Sequence, residues 1–272
     1  MWQPVTQISH GLLSTTFVAS RVHYFNVVRL LVKRDLKVKY RGSLFGYLWS
    51  MLNPLLFMLT ISFVFSHLVK DIPNYHLFVL AGIVCWNMVT VTLISGTHSI
   101  VSGSVLLRKI KLPIWILPSV PLGTAAVNLI LALVPFFVVS LASGVFPTWR
   151  LTILPFIFGL FVVFLFGISL VLSTLNVFFR DIGHVLEPVL QLMFYATPII
   201  YDRKANNIPH AISIALELNP FTHFIESIRA CLLGKGEVTA LEFFLLFAMS
   251  ALSLGIGSWV YRSGKSKIMF SV

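Results

Sequence analysis

LVKRDLKVKYRGSLFGYLWSMLNPLL, residues 31–56, sets the class of this chain, because a strongly basic stretch runs without a linker into a segment of membrane-spanning apolarity. As a helix, the basic part stacks Arg29, Lys33, Lys37 and Arg41 at four-residue steps, with Arg34 adjoining. Phe25, Val28, Val32 and Leu36 fall on another face. Such a helix suits the membrane interface: the apolar face sinks to the headgroup boundary, and the basic stripe meets anionic lipid or a protein docked from the cytoplasm. A merely solvated basic flank would also satisfy the positive-inside rule.

Working outward, 57% of the residues are hydrophobic and 11% charged, whereas soluble domains carry about 25% charged residues. With a mean hydropathy of +0.92 the chain reads as an integral membrane protein. Its net charge of +11 points to cytoplasmic loops and anionic headgroups. Nucleic acid is not an expected partner, since no aromatic-interleaved basic patch lies outside the membrane flanks. Cys85 and Cys231 have neither metal spacing nor an evident bridging partner and read as small packing residues. No cleaved signal peptide is expected, because the uncharged run 11–20 is too short and lacks a basic start.

A bilayer core of about 30 Å takes about 20 apolar residues in a helix. Uncharged runs of that order occupy 42–69, 72–107, 112–149, 151–179 and 238–261, the last broken only by Glu242. A sixth span is expected over 183–201, tolerating Glu187. With the N-terminus inside, fourteen Lys and Arg lie on the cytoplasmic side and six outside, so both termini are expected in the cytoplasm. The expected organisation is all-α: a cytoplasmic segment 1–43 carrying the interface helix, then one six-span unit over 44–272.

Residues 202–239 form an unusual connection. Pro209 can open one short helix, and Asn219–Pro220 is an N-cap and first-turn pair for a second that Gly234 would end. At about 1.5 Å per residue, 220–233 is too short to cross. It is amphipathic, mixing Phe221, Phe224, Ile225, Ile228 and Leu232 with Glu226 and Arg229. A helix pair dipping back into the outer leaflet and an ordinary surface hairpin are both compatible with it.

Polar residues within a span face protein or water. The first span carries such a face in Ser50, Asn53, Phe57, Thr60, Val64 and His67, and the fifth another in His184, Glu187, Gln191 and Tyr195. Two polar faces can line one route, or glue packed helices through hydrogen bonds. Tyr47, Trp49, Phe57, Phe194 and Tyr201 place rings beside them, apt for sugars but also common as interfacial anchors. Glu187 needs water or a partner, either a basic residue of the interface helix or a neighbouring span. Gly42 and Gly46 form G-x-x-x-G at the mouth of the first span, for close helix approach or for a turn. Gly264–Lys265–Ser266 lacks the earlier glycine of a P-loop, since Trp259 stands there. No metal-spaced cluster or nucleophile elbow is seen, so neither a metal nor an enzymatic role is expected.

KRDLKVKYRGSLFGYLWSMLNPLL at 33–56, NVFFRDIGHVLEPVLQLMFYATPIIY at 176–201 and LNPFTHFIESIRACLLG at 218–234 together resemble the permease subunit of ABC-2 type polysaccharide exporters. The similarity extends over essentially the whole chain and is greater toward the O-antigen and teichoic acid branch than the capsule branch. It implies a homodimer joined to two cytoplasmic ATPases that hold Mg-ATP, with no cofactor in this chain. Undecaprenyl-linked polysaccharide would cross the bacterial inner (plasma) membrane. The resemblance implies ATPase docking by Arg29, Lys33, Arg34, Lys37, Arg41, Arg108, Lys109 and Lys111. It implies a channel along the first and fifth spans, here Tyr47, Trp49, Ser50, Asn53, Phe57, Thr60, Glu187, Gln191, Phe194 and Tyr195. It also implies an outer gate of re-entrant helices carrying Asn219, Pro220, Phe221, Phe224, Glu226 and Arg229. Alternatives are export of capsule, of teichoic acid or of small hydrophobic molecules.

Overall fold

A computed structural model describes residues 12–65, 72–109, 112–203, 210–236 and 238–271, with backbone alone at 12–23, 108–109, 210–213, 266–267 and 269–271. All regular elements among them are helical. Helix α1 (Leu12–Lys39) ends with Lys37 and Lys39 in its last turn, where cations suit the helix dipole. Gly42 and Gly46 then take φ of +76° and +49°, and a Cβ on either would meet nothing within 4 Å. The pair therefore makes a turn after α1, without a close helix contact among the described residues. Next come α2 (Trp49–Phe65), α3 (Tyr75–Ser102), the short α4 (Ser104–Lys109) and α5 (Ile116–Ala142). They are followed by α6 (Leu154–Phe178), α7 (Asp181–Tyr195), α8 (His210–Leu218), α9 (Pro220–Leu233) and α10 (Ala240–Ser271).

Five of these are long and apolar enough to cross a membrane: Gly46–Phe65, Tyr75–Ser102, Ile116–Ala142, Leu154–Phe178 and Ala240–Lys265. The expected span over 183–201 forms instead as the 15-residue α7, about 22 Å long at ~1.5 Å per residue, followed by non-helical backbone over 196–201. Pro198 explains the stop, since it supplies no N–H and pushes Thr197 out of helical geometry.

Helix α3 is the centre of the bundle. Of its most apolar window 78% is buried inside the protein, against 11% for α2, so α2 is an edge helix presenting most of its surface outward. Helices α6 and α10 meet along a seam of small residues. A Cβ on Gly257 would come within 2.4 Å of the Gly167 carbonyl oxygen, and Gly264 faces Thr174. Ser250 and Ser253 donate across the seam to the carbonyls of Leu160 (2.9 Å) and Phe164 (2.7 Å). Packing this close is how helices associate where lipid supplies no hydrophobic drive, and it gives Gly264 a structural reason.

Helix α1 lies on α5. Val32 and Leu36 are buried with Val120, and Val32 fills the space left by Gly123. Thr124 Oγ1 donates to Asp35 Oδ2 at 3.0 Å, and Tyr40 OH to Asn128 Oδ1 at 3.2 Å. Part of the apolar face expected among headgroups is thus covered by protein, while Phe25 and Leu30 stay exposed.

Candidate functional site

The two polar stripes meet. A cleft of about 610 Å³ is bordered by Asn53, Phe57 and Thr60 of α2 and by Glu187, Gln191 and Phe194 of α7. Its back wall is α3, through Trp86, Asn87 and Thr90. Ring contacts close one wall, with Phe194 edge-on to Phe57 at 6.3 Å, Trp86 at 5.9 Å and Tyr195 at 5.3 Å. A second chamber of about 350 Å³ adjoins it, lined by Trp49 and Ser50 with Lys39, Tyr40 and Asn128. Tyr47 lines neither cavity but packs against Tyr40 at 4.8 Å. Tyr195 is exposed outside both. His67 and Pro209 lie outside the described residues.

Polar groups in these walls fall into two kinds. Ser50 Oγ donates to the Tyr47 carbonyl at 2.6 Å and Thr60 Oγ1 to that of Leu56 at 2.9 Å, so their hydroxyls are satisfied by their own helix. Glu187 is exposed, and the ion pairs among the described residues are confined to Arg203 with Glu217 and Glu226. Glu187 has no ion-pair partner among the described residues. Sequence reasoning placed a span over 72–107 but missed α3 as a wall of the cleft; the lone amide of Asn87 in an apolar run was the available signal.

On the other side of Trp86 stands α9, built as its caps foretell. Asn219 Oδ1 accepts from the Phe221 N–H at 3.0 Å, Pro220 occupies the first turn, and Gly234 ends the helix at φ +65°. Arg150, from the short 3-10 helix Trp149–Thr152 before α6, donates to the carbonyls of Gly234 and Gly236, placing a cation at the C-terminus of α9. Phe221 and Phe224 are buried, the former against Trp86 and Phe164, the latter stacked on Phe161 and Phe164.

Arg229 is the unexpected residue of α9. It is buried, with its guanidinium 3.6 Å from the Phe78 ring centroid, and donates to the carbonyls of Pro198 (3.0 Å) and Ile199 (3.2 Å). Asn219 Nδ2 donates to the Ala196 carbonyl (3.0 Å) and Tyr75 OH to that of Ile200 (2.8 Å). Four carbonyls left without helical partners by the 196–201 stretch are thereby satisfied from side chains. Burial pulls Arg229 down from the usual guanidinium range, opposed by Glu226. Burial raises Glu226, against the pull of Arg203, whose Nη2 is 3.4 Å away.

At the opposite end of the bundle Arg29, Lys33, Arg34, Lys37 and Arg41 are all exposed. Arg34 and Asp35 border a cavity of about 580 Å³ with Ser99 and Ser102 of α3, Leu106 of α4 and Val120 of α5. Helices α1 and α4 therefore bracket one hollow. Lys111 lies outside the described residues, as do the side chains of Arg108 and Lys109.

Comparison with known proteins fits this arrangement. Over 250 residues the chain is 30% identical to the O-antigen export system permease protein RfbA of Myxococcus xanthus, covering 92% of this chain and 96% of that protein. It is 32% identical over 210 residues to the protein of the same name from Klebsiella pneumoniae, covering 76% and 80% of the two chains. The family model described as ABC-2 type transporter matches residues 26–233, which take in the basic helix, the cleft and α9. The chain thus belongs to the ABC-2 type transporter family, as a transport subunit.

Proposed function

We propose that this chain is the transmembrane subunit of an ATP-driven exporter that moves a lipid-linked polysaccharide, O-antigen, outward across the bacterial inner membrane. The carrying observation is the junction of the α2 and α7 polar faces on one cleft with an aromatic wall. Rings offer an apolar face to the sugar ring and amides offer donors and acceptors to its hydroxyls. The relatives named as O-antigen export permeases, aligned over most of their length, supply the substrate class.

Two copies work as a homodimer with two cytoplasmic ATPases that hold Mg-ATP, and the chain itself carries no cofactor. The exposed basic face of α1, from Arg29 to Arg41, and the α4 segment with Arg108, Lys109 and Lys111 grip the ATPases around the hollow between them. ATP-driven separation and closure of the two permeases opens the α2–α7 face to the polymer. The undecaprenyl-linked end enters beside α1. Helix α7 with 196–201 serves as the fifth of six spans, both termini are cytoplasmic, and α8 and α9 form the re-entrant outer gate. Within that gate α9 is anchored to α3 and α6, since Phe221 and Phe224 pack on Trp86 and Phe164 and Arg229 on Phe78.

The test is deletion of the gene in its own host, with restoration by the wild-type chain and by a variant in which Arg29, Lys33, Lys37 and Arg41 are all Gln. Surface glycan should vanish on deletion and return with the wild type only, while the variant inserts normally and fails to retain an ATPase on purification. Unchanged surface glycan in the deletion strain would refute the reading.

A further inference from the structure

From Leu77 to Val89 every residue of α3 is buried except Asn87. Its amide has no hydrogen-bond partner among the described residues, nor has that of Asn53, which stands across from it on α2. Both lie well inside spanning segments, where an unpaired amide is tolerated only against water, protein or a polar ligand. A further observation singles them out. Of all the residues bordering the chamber beside Tyr40 and the cleft beside Glu187, Asn53 and Asn87 alone border both. The two amides are the threshold between the two cavities.

We propose that Asn53 and Asn87 form a hydroxyl-binding threshold through which neutral pyranose units pass from the first chamber into the cleft, an inference that rests on the polysaccharide-export reading above. An amide both donates and accepts, so it exchanges hydrogen bonds with hydroxyls of any orientation. It carries no net charge, so it does not hold a moving chain as an ion pair would. A conduit works when each contact is favourable enough to enter and weak enough to leave. Trp49 on one side and Trp86 on the other give the sugar ring an apolar surface before and after the threshold. The chambers, at about 350 and 610 Å³, fall in the range of small-ligand sites.

Two experiments on the full chain co-produced with its ATPase test this. Asn53→Leu and Asn87→Leu should each lower surface glycan about tenfold or more at unchanged membrane level and ATPase retention, whereas Asn87→Ser should keep most export. Second, Asn87→Cys and Asn53→Cys should react with a small membrane-impermeant thiol reagent in cells that make no lipid-linked glycan, and several-fold less when the glycan is made; Cys85 and Cys231 are buried and serve as background. A purely structural role would produce the first result without substrate protection, and would overturn the proposal. So would Leu variants that export normally beside a functional wild type, leaving the export reading intact. If the wild type itself exports no glycan, both readings fall.

Discussion

Two sets of polar groups sit on either side of Trp86, and they are built in opposite ways. Around 196–201, Asn219, Arg229 and Tyr75 are buried at the point of contact and spend their donors on backbone carbonyls. Along α2 and α7, Asn53, Glu187 and Gln191 are exposed, and none has a hydrogen-bond partner among the described residues. Polarity within the bundle therefore has two meanings here. Closed and paired, it replaces a missing helical hydrogen-bond ladder; open and unpaired, it leaves a surface for something hydroxylated to wet. Removing a group from the first set should cost stability, and from the second, transport.

The largest effect is expected from Arg229→Gln, which strands the Pro198 and Ile199 carbonyls beside Phe78. A loss of about 3–5 kcal/mol is expected, the size seen when a buried charge network is broken, read as a large fall in the melting temperature and yield of the purified protein. Arg229→Lys should recover part of it, since the charge remains but the planar fork does not. Next comes Gly82→Ala. Its Cβ would lie 2.7 Å from Arg229 Nη2 and 3.0 Å from Ile199 Cγ2, so the clamp must shift. Overpacking of this sort costs about 1–3 kcal/mol, and equal melting curves would show that the clamp is looser than its geometry. Asn219→Ala removes a cap and two further hydrogen bonds, an expected loss of about 2 kcal/mol in the same assay. Smallest in stability should be Gln191→Leu, within about 0.5 kcal/mol, yet with export lowered several-fold in whole cells. A melting shift as large as that of Asn219→Ala would erase the distinction between the two sets.

Sequence made some of this legible and hid the rest for physical reasons. The N-cap of Asn219, the first-turn Pro220 and the left-handed Gly234 are local chemistry, and all three stand where their residue types require. The polar faces of α2 and α7 were legible because spacing of three and four is a property of one helix. That they share one cleft with Trp86 and Asn87 is a property of three helices, which periodicity does not carry. Nor does apolarity distinguish a helix buried in protein, such as α3, from one at the edge of the bundle, such as α2, because a protein interior and lipid are both apolar. The span expected over 183–201 ends early at a proline bend whose carbonyls need donors. The same need turns Arg229 inward, where amphipathic reasoning placed it on a polar surface.

The central claim is that the polymer runs along the α2–α7 face. A photo-crosslinking side chain placed at Thr60 or Gln191 in the assembled exporter, irradiated during ATP turnover with lipid-linked glycan, tests it directly against the same group at Phe247 or Leu252, exposed on α10. Glycan-bearing adducts are expected from Thr60 and Gln191 and none from α10. Adducts from α10 with none from the cleft would contradict that path.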